Sequence, residues 1–310
     1  MSRPLDTMTP GRYDDGVFAV GREHGFLPKR HPLARLAEPF EAVQELIDRL
    51  PVELPDGTPG LLGAADGMVA PVAQLTDLTT HIDPLDPKDD EDARLLQALF
   101  RSYSFLASGY LLAPAHHGRT AERTYGKARS VLPRQLARPL VAAADKLGVA
   151  PWLDYHHAYA LGNYTFLDPD LPDPEVFRWD NLTMAARFSG KPDESGFIML
   201  HVHINAHARA MVGSIFDAIG AARAKDTEAL REALRENLAS MRAINEVRRE
   251  MWKASRPQRY NDFRVFIMGI TGNEALFGPG VIYEGVERFG GTPQQFRGQT
   301  GAQDDIIPAQ

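Results

Sequence analysis

The chain predicts an all-α fold, and three observations carry that prediction. Apolar residues recur at spacings of three and four in several long stretches. The clearest is 227–253, with Leu230, Leu234, Leu238, Met241, Ile244, Val247 and Met251. The segment 194–223, ESGFIMLHVHINAHARAMVGSIFDAIGAAR, is long, largely apolar and free of proline, as a buried helix requires. No strand–helix–strand alternation and no internal repeat runs along the chain.

Taken in order, residues 1–35 are rich in Pro, Gly and Arg and read as an extended arm packed on the body. Residues 41–50 place Val43, Leu46, Ile47 and Leu50 on one helical face. A Pro/Gly-rich connection over 51–67 follows. The acidic run 83–92, DPLDPKDDED, doubles as a helix start, because carboxylates suit the positive end of a helix. One long helix is then expected over 91–112, and His116–His117 beyond Pro114 read as a solvent loop. Residues 132–147 form another helix, capped by Gly148 and interrupted at Pro139 by a kink or break. Residues 151–164, PWLDYHHAYALGNY, read as a short buried helix and 169–174 as a turn-rich break. Residues 261–270, NDFRVFIMGI, fit strand or helix equally, and 278–310 should be loop.

Composition narrows the chemistry. The 310 residues carry a net charge of −7 and no basic stripe, which argues against nucleic-acid or anionic-membrane partners. With no cysteine, thiol nucleophiles, zinc–thiolate sites, iron–sulfur clusters and disulfides are all excluded. Neither a signal peptide nor an 18-residue apolar run is seen, and a cytoplasmic location is expected. No G-x-S-x-G, P-loop, G-x-G-x-x-G or H-E-x-x-H signature occurs.

Three histidines punctuate the 194–223 helix. His203 and His207, four apart, share a face, whereas His201 lies about 200° round from His203. His201 follows Phe197 by one turn, so ring and imidazole line one wall. Arg264 sits in an apolar setting, where a guanidinium needs either an internal acid or a ligand carboxylate. The loop RGQTGAQ, 297–303, exposes amides that a flat ligand or an anion could approach closely. Tyr155, His156, His157 and Tyr159 form an aromatic group that suits either core or a ligand wall.

Four ordered blocks bring these pieces together: RSVLPRQLARPLVAAADKLGVAPWLDYHHAYALGNY, ESGFIMLHVHINAHARAM, YNDFRVFIMGITGN followed by GVIYEGV, and FRGQTGAQ. Over roughly residues 90–310 they resemble the indoleamine 2,3-dioxygenase family, haem enzymes that open the indole ring of tryptophan. The resemblance implies a helical arrangement in which a small N-terminal domain, 36–130, caps a larger haem and substrate domain, 131–310. It also implies haem b as cofactor, with an indole and dioxygen as partners. Arg264 matches the arginine that binds the substrate carboxylate, and Phe197 the aromatic that packs on the indole. Thr300, between Gly298 and Gly301, matches the loop beside substrate and haem propionate. His156 and Tyr159 fall near positions that line the distal pocket, and Gly298, Gly301 and Val247 are the expected cofactor contacts.

The chain departs from the family pattern at three places. His201 stands where animal members carry serine, and its imidazole is expected to accept from the indole N–H or donate to bound dioxygen. Arg259 and Tyr260 replace paired phenylalanines, which makes the pocket more polar and admits a modified indole. The family's axial histidine follows the glycine loop, so the iron ligand is expected beyond Gln310. The leading expectation is therefore a haem-dependent tryptophan-type dioxygenase. Its alternatives are a monooxygenase of a tryptophan derivative, a non-catalytic indole- or haem-binding relative, and a non-haem metal site at His203 and His207.

Overall fold

The computed structural model describes residues 14–120 and 124–309. Residues 1–13 of the expected arm lie outside the described residues. Helices dominate: α1 Glu41–Arg49, α2 Val69–Gln74, α3 Thr79–Ile82, α4 Asp90–His117, α5 Arg134–Leu147, α6 Pro192–Ala224, α7 Thr227–Arg249, α8 Met251–Ala254 and α9 Glu274–Phe277. Two short strand pairs interrupt them. β1 (Val131–Leu132) runs parallel to β4 (Ile282–Tyr283), and β2 (Tyr164–Phe166) antiparallel to β3 (Leu182–Met184). Buried apolar side chains from Val17 to Ile306 join in one cluster.

α4 passes through the middle of that cluster. Asp89 starts it, its carboxylate accepting from the amides of Glu91 and Asp92 at 3.0 and 3.1 Å. The helix runs past its expected end at Leu112 and carries Pro114 in its last turns. Pro114 has no N–H for the carbonyl of Tyr110, and the Arg129 guanidinium supplies a donor there instead. His116 and His117 are consequently helical rather than in a solvent loop. The His116 ring lies 5.0 Å from that of Phe266, and His117 Nε2 donates to the Leu62 carbonyl at 2.9 Å.

α5 also runs unbroken through its proline. The carbonyl stranded by Pro139 is that of Gln135, in the first turn of the helix, and no break results. Gly148 ends the helix at φ 69°, its amide reaching Ala144 and Asp145. Residues 155–159 close as a single π-helical turn, capped by Asp154 on the amides of His157 and Ala158.

α6 and α7 form an antiparallel hairpin whose rotation differs from the expectation. Leu234 and Leu238 are 56% and 51% exposed, while Ala233, Ser240, Ile244 and Val247 are buried. Two polar contacts account for this. Ser240 Oγ donates to the His207 carbonyl at 2.8 Å and Asn237 Nδ2 to Ser214 Oγ at 3.1 Å. They turn the small side chains of α7 toward α6, which allows close approach. α7 stops at Arg249, short of residue 253, and the ambiguous stretch at 261–270 forms a 3-10 turn, Arg264–Ile267.

The start of α6 is held by a buried acid. Glu194 accepts from the amides of Phe188 and Ser189, the hydroxyl of Ser189 and the Tyr159 phenol, at 2.6–3.3 Å. The described part of the N-terminal arm lies across the body. Arg22 reaches Glu236 on α7, and Lys29 reaches Asp90 on α4.

Burial holds both His116 and His203 down to about 4. In the unfolded chain they take up protons near 6.5, but in the folded chain not until about 4. Stability therefore falls as pH drops through that window. Urea midpoints at pH 7 and pH 5 should show the loss, and the variant His116→Gln/His203→Gln should show a smaller difference. An equal difference in both proteins would disprove the assignment.

Candidate functional site

α6 builds one wall. A helix turn separates Phe197 from His201, and their rings stand 5.1 Å apart. His201 Nδ1 lies 2.9 Å from the carbonyl oxygen of Phe197. A carbonyl only accepts, so Nδ1 carries the proton. Burial pushes the imidazole below its ordinary value, outweighing the hydrogen bond to Phe197 and the charge of Asp304. The ring is thus neutral near pH 7 and presents the lone pair of Nε2, which bonds to no other described residue.

Rings from the next segment extend this wall. Tyr260 and Phe263 stand 5.5 and 6.0 Å from Phe197. Arg264 follows directly and is half-buried. Among the described residues it makes no hydrogen bond or ion pair, so the internal salt bridge left open by its sequence setting is not formed there. Arg259, by contrast, is exposed and 3.5 Å from Asp262. The Arg264–Ile267 turn is braced from α4, where Ser108 donates to the Phe266 carbonyl.

The glycine loop closes the third side. Its entry is pinned by the amides of Ile270 and Thr271, which donate to the Phe296 carbonyl at 2.9 and 3.0 Å. Gly298 and Gly269 then meet backbone to backbone, and a Cβ on either would collide with the other's main chain. At Gly301 the nearest side-chain atom to an added Cβ would be His201 Nε2 at 3.9 Å. The Thr300 amide is taken by Gln303 Oε1 at 3.0 Å.

Three residues that the sequence analysis did not single out, Asp304, Asp305 and Asn205, complete the constellation. Asp304 accepts from the phenol of Tyr155 and from Asn205 Nδ2. Asp305 takes His156 Nε2 at 2.9 Å. Helical spacing puts Asn205 one turn beyond His201, the only trace of this group in the sequence.

The other sequence-chosen residues fall as follows. His156 is engaged by Asp305, whose charge outweighs burial and raises its affinity for a proton. Tyr159 is fully buried, stacked with Phe105 and Phe188, with its hydroxyl on Glu194. Val247 is buried on α7. His203 and His207 do share a face, their rings 5.4 Å apart. No group of three or more His, Asp or Glu side chains suited to a metal occurs among the described residues. Among the described residues the non-haem alternative thus finds no carboxylate to join His203 and His207.

The arrangement suits one face of a flat, mainly apolar group. It offers an aromatic ring, a neutral imidazole acceptor and a close backbone loop, with a half-buried cation one residue beyond the ring wall. That defines a helical protein with a wall of aromatic rings and a histidine facing a glycine loop. The family model for indoleamine 2,3-dioxygenase matches residues 15–309, and the chain belongs to that family. It is 25% identical over 294 residues to an indoleamine 2,3-dioxygenase of Aspergillus candidus, covering 94% of this chain and 66% of that protein. The Saccharomyces cerevisiae indoleamine 2,3-dioxygenase is 27% identical over 300 residues, 94% of this chain and 59% of the yeast protein. A 6-hydroxytryptophan 2,3-dioxygenase of Fusarium equiseti is 25% identical over 294 residues, 94% and 64% of the two chains. The chain thus spans two thirds or less of the length of these relatives. No described helix is long and apolar enough to cross a membrane.

Because Gly298 and Gly269 leave no room for a methyl group, Gly298→Ala should destabilise the fold by roughly 1–3 kcal/mol. Chemical denaturation checks this, and an unchanged midpoint would contradict the close contact.

Proposed function

We propose that this chain forms the substrate-facing wall of a haem-dependent oxygenase acting on tryptophan or a tryptophan derivative, with oxygen from dioxygen entering at the indole C2–C3 bond. The observation that carries this reading is the tautomer of His201. With Nδ1 committed to the Phe197 carbonyl, Nε2 accepts a proton donor and does not supply one. The indole N–H is such a donor. Of the two roles expected for this imidazole, acceptor for the substrate and donor to dioxygen, the geometry supports the first.

The remaining residues take roles around that bond. Phe197 packs on one face of the indole. Arg264, free of internal partners among the described residues, takes the carboxylate through paired N–H donors. Thr300 and the glycines at 298 and 301 cover the open edge and exclude water. Haem iron, when bound, supplies the activation of dioxygen that no side chain here provides. This chain's contribution is binding and orientation, and it assigns no described histidine to the iron.

The polar Tyr260 beside Phe197 favours a ring-substituted indole as a second reading. Its phenol makes no hydrogen bond to another described residue, and one relative is named for 6-hydroxytryptophan. A panel of tryptophan and its ring-hydroxylated forms decides between the two.

Arg264→Ala should raise KM for an amino-acid indole roughly 10- to 100-fold, the worth of a charged hydrogen-bonded pair, while changing KM for the decarboxylated amine little. Equal effects on both substrates would count against a carboxylate role. His201→Ala should weaken N–H indoles about tenfold and spare their N-methyl analogues. If both classes lose alike, the acceptor assignment is wrong.

A further inference from the structure

We propose that Asp304 is a positioning residue that latches the glycine loop to α6 and to the 155–159 turn, and so sets the loop's distance from His201. The inference deepens the proposed function but rests on its own contacts.

Asp304 Oδ2 receives two donors from separate elements, the Tyr155 phenol and, at 2.9 Å, the Asn205 amide. Tyr155 and Asn205 are buried, whereas Asp304 is half-buried. The same Asn205 nitrogen lies 2.9 Å from the His201 carbonyl, so one amide joins the aspartate to the histidine's own helix turn. The Tyr155 ring stands edge-on to the His201 imidazole at 5.9 Å. The loop side is equally constrained. The amide of Asp304 returns to the Gly301 carbonyl at 3.2 Å, and its Oδ1 caps the amide of Ile306 at 3.0 Å. The neighbouring Asp305 adds a second tie, to His156.

A carboxylate suits this hub for a physical reason. Its oxygens only accept, and both groups that meet Oδ2 only donate there, so no orientation is wasted. Charge-assisted bonds to a carboxylate are roughly twice as strong as neutral ones. The loop itself needs such a tie. Its glycines lack side chains that would anchor it by packing, yet a Cβ added at Gly301 would stand only 3.9 Å from His201 Nε2. The negative charge also acts on the imidazole through space, opposing the effect of burial.

Hydrogen–deuterium exchange of the loop amides tests the latch without turnover, in the full chain. Asp304→Ala should speed exchange across 298–303 about tenfold or more, and Tyr155→Phe, which deletes one donor and keeps the ring, by a smaller factor. Asp304→Asn keeps the shape but removes the charge, and should lower the midpoint of the His201 imidazole titration read by NMR. A merely structural aspartate would leave that titration in place. Unchanged loop exchange in both Asp304→Ala and Tyr155→Phe overturns the proposal, as does an unmoved His201 titration in Asp304→Asn. Should Asp304→Ala fail to fold, Tyr155→Phe carries the exchange measurement. Failure of the wild-type protein to bind any indole would sink the proposed function and leave these measurements untouched.

Discussion

The hydrogen bond from His201 Nδ1 to the carbonyl of Phe197 is the constraint on which the site depends. It is a bond within one helix turn, made where α6 has already satisfied that carbonyl's usual demand. It orients the imidazole, selects its tautomer and leaves Nε2 as an acceptor facing the glycine loop. Burial then keeps the ring neutral, since a charged imidazolium would lose more hydration than the nearby Asp304 restores. The acceptor character of His201 thus follows from a local geometry and its burial.

That helix turn has to be met by segments far away in sequence. The 155–159 turn is held from α4, whose Gln97 donates to the carbonyls of His157 and Gly162. The Arg264 turn is held from α4 as well, through Ser108. The glycine loop is held by Gly269 against Gly298 and by Asp304 against Tyr155 and Asn205. α4 therefore works as a common brace for two walls, and the burial of its whole middle, 96–109, follows from packing on several sides. The anchor at the other end of α6, Glu194, keeps the helix start in register with Tyr159 and the 188–189 amides.

The same residues show why one reading of the sequence succeeded and another did not. The wall of Phe197 and His201 and the separate face of His203 and His207 were legible, because helical spacing alone dictates which side chains share a face. The α7 stripe was misjudged in its first half, while its later members Ile244 and Val247 are buried as expected. Leu234 and Leu238 have the period of a buried face, but Ser240 and Asn237 bond to α6 and rotate the helix away from it. Pro114 likewise read as leading into a loop, and Pro139 as a kink or break. The first is tolerated because Arg129, fifteen residues on, takes the stranded carbonyl of Tyr110. Asp304 and Asp305 lie in the stretch 278–310 that read only as loop, since their partners lie about a hundred or more residues upstream.

The sequence by itself determined the helical class, the helix start in the acidic run 83–92 and that at Thr227, the ring–imidazole wall and, through four ordered blocks, the family to which the chain belongs. Each of these depends on residues near one another along the chain or on motifs that stay intact in order. Only the tertiary structure decided which nitrogen of His201 is free, that Arg264 lacks an acid partner among the described residues, and that Asp304 ties the loop to α6. Those facts depend on what approaches from elsewhere in the fold. Hydrogen bonds and close packing act within a few ångströms, and no periodicity in the sequence records that proximity.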